Sequence, residues 1–155
     1  MMLTSRLLVA LAGLGSGAVL AGAFAFQYIG GMAPCALCLW QRWPHAAAVV
    51  IMGMAILVPN RWLMALGAVA ALATAGIGGF HMGVEYGWWE GLQSCSAGSI
   101  SGISVTDLLN PNAAVAAPVR CDAVPWSMLG LSMAGWNMVV SVCLAGLWLM
   151  AARRT

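Results

Sequence analysis

Polar residues are so sparse along this chain that their positions mark out its elements. Four apolar stretches are long enough to cross a bilayer, which takes about 20 residues of helix. They run from Leu7 to Ile29, from Cys35 to Val58, from Trp62 to Val84 and from Trp126 to Ala152. A lipid core cannot satisfy stray backbone N–H and C=O groups, so each reads as an α-helix. A short segment near residues 30–34 joins the first two, and a long one near 85–125 joins the last two. The pattern predicts one all-α domain over residues 1–155, a four-helix transmembrane bundle. Internal repeats are absent.

Local signals refine the spans. From Pro44 to Val58 a helix would be only about 22 Å long, against a hydrocarbon core of about 30 Å. The second helix is therefore expected to start near Cys35, just after Pro34, and to carry Pro44 inside it as a bend. "GLGSG" at 13–17 and "GFHMG" at 79–83 each hold a G-x-x-x-G spacing, which lets helices approach closely. In the long segment, "SVTDLLN" at 104–110 has the pattern of a short amphipathic helix lying on the membrane, and Pro111 and Pro118 break the rest of that segment. Asp122 and Pro125 resemble the N-terminal signal of the last helix.

Composition agrees with the pattern. The chain is 63% hydrophobic and 6% charged, where soluble domains carry about 25% charged residues. The net charge of +2 is scattered over six arginines, which excludes a nucleic-acid surface. With four spans, Arg6, Arg61, Arg153 and Arg154 fall on one side, and the positive-inside rule makes that side cytoplasmic. Both termini are then inside. Arg42, Arg120 and all four acids, Glu85, Glu90, Asp107 and Asp122, lie outside. Arg6 followed by an apolar run and "AGAFA" also has the look of a signal peptide, but the run continues past that point and reads better as a span.

The same topology places Cys35, Cys38, Cys95 and Cys121 outside and leaves Cys143 within the last span, where a small apolar residue suffices. An extracytoplasmic face is where disulfides form and persist. Cys95 and Cys121 could staple the long segment or act as an exchange pair. Cys35 and Cys38 form a C-x-x-C, whose loop is too small to add much stability; such pairs are redox-active or half of a metal site, and the four outer cysteines could supply four ligands. In the first turn of a helix the macrodipole favours thiolate. Arg42, four residues after Cys38, adds a fixed charge on the same face, and Gln41 offers a donor and an acceptor beside it. Trp40 and Trp43 suit the headgroup boundary. His81 and Glu85, also i, i+4, either stabilise a helix end or contact a ligand at headgroup level. A dithiol at the membrane edge can exchange electrons with a protein dithiol outside or with a lipid-soluble quinone, and a second pair could shuttle between them.

"PCALCLWQR" resembles the C-x-L-C-x-x-Q-R signature of the disulfide-bond formation protein B (DsbB) family. "HMGVE", the second cysteine pair and "PWSMLGLSMAGWN" before the last span fit as well, so the resemblance covers essentially the whole chain. It implies an enzyme of the bacterial inner membrane, multi-pass, that reoxidises a periplasmic thioredoxin-fold dithiol oxidase (DsbA-like) and passes the electrons to ubiquinone or menaquinone. By motif, Cys95 would form the mixed disulfide with the partner, and Cys121, its loop mate, would pass electrons to Cys35. Cys38 would meet the quinone. Arg42 would position the quinone ring, with Gln41 and His81 also placed at that site. The motif demands no metal. Two alternatives share the cysteine pattern: a quinone-linked oxidoreductase of the epoxide-reductase type, and a metal-binding four-helix membrane protein using the outer cysteines.

Overall fold

The structure is a computed structural model that describes residues 2–92 and 119–155. Cys95 and the membrane-parallel helix expected at 104–110 lie outside the described residues. Among these residues there are four long helices: α1 (Met2–Tyr28), α2 (Ala36–Leu57), α3 (Arg61–Glu85) and α4 (Met133–Arg153). A two-stranded hairpin, β1 (Ser127–Met128) and β2 (Leu131–Ser132), precedes α4.

Three segments, Thr4–Tyr28, Arg61–Glu85 and Met133–Arg153, are long and apolar enough to cross a membrane. Helix α2 has the length, but its first half carries Gln41, Arg42 and His45, which lower its hydropathy. Those three residues face inward, toward other helices and a cavity, so the polarity of α2 belongs to the site.

Each helix start has a local cause. Cys35 caps α2 from an extended conformation, its Sγ accepting from the Cys38 backbone N–H, and Pro44 lies inside that helix as expected. Asn60 caps α3 by accepting from Trp62 N–H at 2.8 Å. The last helix departs from expectation: it begins at Met133, not at Trp126. Leu129 and Gly130 both have positive φ, 54° and 81°, which is the geometry of a tight type I′ hairpin turn. The turn diverts residues 127–132 into β1 and β2. Ser132 then caps α4, its Oγ accepting from Gly135 N–H at 3.2 Å. Asp122 is not a cap; it is half-buried and paired with Arg120, whose guanidinium holds the Asp122 carboxyl below its usual range. Tyr86 ties the hairpin to α3, its hydroxyl donating to Gly130 O at 2.8 Å.

Helices α3 and α4 form the most extensive pairing; α2 packs on α3, and α1 on α2 and α4. Small residues make this possible. A Cβ at Gly78 would stand 3.0 Å from the Ala134 carbonyl, so α4 backbone occupies the space a side chain would need. The core at one end contains Val9, Ala48, Met64, Ala71, Leu144 and Trp148, while Leu14, Leu57 and Val69 point outward. Small residues inside and large apolar ones outside is the arrangement that lipid favours. A second buried cluster, Cys35, Leu37, Val84 and Cys121, closes the other end.

Candidate functional site

The site is assembled where α2 begins and α3 ends. Capping geometry turns the Cys35 side chain back over the first turn of α2. Its thiol donates to Cys38 Sγ at 2.8 Å, and its sulfur accepts from Cys38 N–H at 3.2 Å. Both cysteines are free thiols. Cys35 is buried, whereas Cys38 is half-buried one turn deeper and faces a cavity of about 430 Å³.

His81, on the last turns of α3, reaches Cys35 Sγ with Nε2 at 3.6 Å. The expected i, i+4 pairing is present, with Nε2 3.8 Å from Glu85 Oε1 and both side chains buried. Cys121 arrives from the long segment, fully buried and disulfide-bonded. Its Sγ, Cys35 Sγ and a His81 ring nitrogen all lie within 4.8 Å of one another. That cluster has the spacing of metal ligands, but a sulfur already bonded to sulfur has no thiolate to offer a metal.

Arg42 shares the Cys38 face of α2 and also lines the cavity. It reaches α1, donating from Nη1 to Gln27 Oε1 at 2.5 Å and from Nη2 to Ala23 O at 3.3 Å. Its guanidinium carbon stands 4.8 Å from the Phe24 ring centre. Nε is buried with no partner. No acidic side chain neutralises Arg42 among these contacts, and a simple interfacial anchor would not need a carbonyl and an amide from another helix.

Gln41 lines the same cavity, but its amide is engaged. Its nitrogen lies 2.9 Å from His81 Nδ1 and donates to Leu37 O at 3.3 Å, while its oxygen accepts from Asn137 Nδ2 at 2.7 Å. Asn137 in turn meets Thr74 and, through Oδ1, His45 Nε2 at 2.8 Å. A continuous polar chain therefore runs through the bundle from Cys35 to His45. His45, Thr74 and Asn137 did not stand out in the sequence; the signal available was the polar side chain inside an apolar span, which is costly unless partnered. Cys143 is exposed on α4, far in sequence and role from this cluster.

Apolar walls complete the cavity, among them Val19, Leu20 and Phe26 of α1, Trp126 before the hairpin, and Val140 of α4. A dithiol thus faces an apolar chamber on one side and a disulfide-bonded cysteine on the other. Fold and site together define a helical membrane protein of thiol–disulfide exchange. The family model for "Disulfide bond formation protein DsbB" matches residues 5–151. The chain belongs to the DsbB family and is a membrane protein of disulfide-bond formation. It is 35% identical to "Disulfide bond formation protein B" of Methylococcus capsulatus over 84% of this chain and 81% of that one. The protein of the same name from Verminephrobacter eiseniae is 32% identical over 96% and 85%, and that from Xanthomonas oryzae pv. oryzae 33% over 79% and 74%. No solved structure gives a significant match.

Proposed function

We propose that this protein is a quinone-dependent protein-dithiol oxidoreductase of the bacterial inner membrane, with four spans, both termini cytoplasmic and both cysteine pairs periplasmic. Its substrate is the reduced dithiol of a periplasmic thioredoxin-fold oxidase of the DsbA type. The observation that carries the reading is the placement of Cys121 Sγ within 4.8 Å of Cys35 Sγ, with Cys38 and Arg42 on the wall of the apolar cavity behind.

Each exchange step conserves atoms and electrons. The partner's two thiols are oxidised to a disulfide as the Cys95–Cys121 disulfide is reduced to two thiols, with Cys95 carrying the mixed disulfide. The Cys121 thiolate then attacks Cys35 of an oxidised Cys35–Cys38 pair, forming a Cys121–Cys35 bond and releasing Cys38 as thiolate. Cys95 resolves that bond, restoring Cys95–Cys121 and leaving Cys35 and Cys38 reduced. A quinone, when bound, supplies the acceptor for two electrons and two protons that reoxidises this pair.

The chamber fits such a ring. A volume of about 430 Å³ lies in the usual range of ligand pockets, about 300–1,000 Å³, and its walls are apolar. The buried, unpartnered Arg42 Nε–H suits a carbonyl oxygen. Arg42 orients the acceptor and favours charge on Cys38, the apolar walls exclude water, and His81 supports Cys35. The test is anaerobic mixing of the purified protein and a reduced thioredoxin-fold partner with ubiquinone or menaquinone analogues. Loss of quinone absorbance matched to partner oxidation is expected; partner oxidation with neither quinone consumed would reject the reading.

A further inference from the structure

We propose that Asn137 is a positioning residue that sets the tautomers of both histidines. It holds His81 with an Nε2–H against Cys35 Sγ, and His45 with a bare Nδ1 lone pair at the cavity wall, where it accepts from a hydroxyl-bearing ring such as a quinol. The last clause rests on the quinone reading above; the tautomers do not.

Two backbone carbonyls fix the orientation of both amides. Leu37 O only accepts, and it lies 3.3 Å from Gln41 Nε2, so that atom is the NH2. Asn137 Nδ2 lies 3.4 Å from Thr74 O and 3.1 Å from Thr74 Oγ1. Thr74 has already given its one hydroxyl hydrogen to Gln41 O at 3.1 Å. Turned over, the Asn137 oxygen would face a carbonyl, a hydroxyl with no hydrogen left, and Gln41 Oε1. Three acceptors around an acceptor is untenable in a buried site.

These amides dictate the tautomers. Gln41 NH2 donates to His81 Nδ1 at 2.9 Å, so the ring proton sits on Nε2. Near Nε2 stand Cys35 Sγ at 3.6 Å and Glu85 Oε1 at 3.8 Å, each able to accept from it. His81 is thus an N–H donor toward the exchanging sulfur and steadies negative charge on it; it is not poised to take the thiol proton. Asn137 Oδ1 lies 2.8 Å from His45 Nε2 and also accepts from Ser141 Oγ at 3.4 Å, so His45 carries its proton on Nε2 as well. His45 Nδ1 is buried and has no partner, and His45 lines the cavity. A quinol presents an O–H to that lone pair, whereas a quinone presents only carbonyl oxygens. The amide at position 137 offers a donor to Gln41 on one atom and an acceptor to His45 on the other.

The chain has two histidines, so nitrogen-15 histidine NMR of the detergent-solubilised protein reads two rings, assigned with His45→Ala. Both are expected as neutral Nε2–H tautomers without any added quinone, and an Nδ1–H pattern for either ring would overturn the assignment. In Asn137→Leu, Gln41 Oε1 loses its donor and His45 Nε2 its acceptor. Each ring should then become a mixture of the two neutral tautomers; an unchanged signal for either ring in the folded variant would overturn the role of Asn137 for that ring. A short-chain quinol should shift the His45 Nδ1 resonance in the wild-type protein, and the matching quinone should not. Correct tautomers without a quinol response would overturn the ligand clause. Absence of quinone turnover with correct tautomers would count against the proposed function and leave Asn137 as assigned.

Discussion

The sulfur of Cys121 lies within 4.8 Å of the sulfur of Cys35, although the two belong to different segments of the chain. Both are buried in one small cluster with Leu37 and Val84. In the proposed relay sulfur must approach sulfur, and burial would keep the thiolate away from competing thiols in solution.

Cys121→Ser should therefore separate the two halves of the relay. Cys95 should still be trapped by a reduced partner as a mixed disulfide, while turnover of the partner stops and an oxidised Cys35–Cys38 pair stays oxidised. Thiol trapping followed by mass spectrometry reads each pair. A normal turnover rate in this variant would rule out Cys121 as the link.

Arg42 bonds to α1 through both terminal nitrogens, lines the cavity and keeps a buried Nε with no partner. A charge-assisted hydrogen bond contributes about 1.5–3 kcal/mol, so Arg42→Ala should raise the apparent KM for quinone roughly ten- to hundredfold. Arg42→Lys should insert and fold normally but remain impaired, because an ammonium cannot reproduce the planar fork. Steady-state quinone titration of both variants checks this.

Gly67→Ala should destabilise the bundle without touching the site. An added Cβ would fall 2.5 Å from the Trp148 indole, a fully buried side chain with no room to yield. Overpacking of this kind costs about 1–3 kcal/mol. The midpoint of thermal unfolding in detergent should fall, while the residual folded protein keeps its quinone KM.

Cys143→Ala should be silent. The side chain is a free thiol exposed on α4 and has no exchange partner within its helix, so activity should match the parent and stability should stay within about 0.5 kcal/mol. Loss of turnover in a folded Cys143→Ala protein would add a fifth cysteine to the chemistry.

Legibility from sequence differs by element. The α2 start at Cys35, the internal Pro44 and the shared face of Cys38 and Arg42 are readable, because capping, proline geometry and the i, i+4 rule act within a few residues. The start of α4 is not, for an equally local reason. The apolar run from Trp126 hides a hairpin turn at Leu129–Gly130, and hydropathy does not distinguish an apolar strand from an apolar helix. Gln41 reads in sequence as a neighbour of the thiols; its amide instead joins His81 to Asn137.

The sequence by itself determined the membrane class, the helical content and the family, since composition, period and motif spacing are properties of the chain alone. Only the tertiary structure decided what the isolated polar residues do. His45, Thr74 and Asn137 sit on three different helices, and each looks like an expensive lone polar group in an apolar span. Packing α2, α3 and α4 together turns them into one hydrogen-bonded chain ending at Cys35. A buried polar group is tolerable only when its partners are in place, and those partners come from helices that the linear sequence holds far apart.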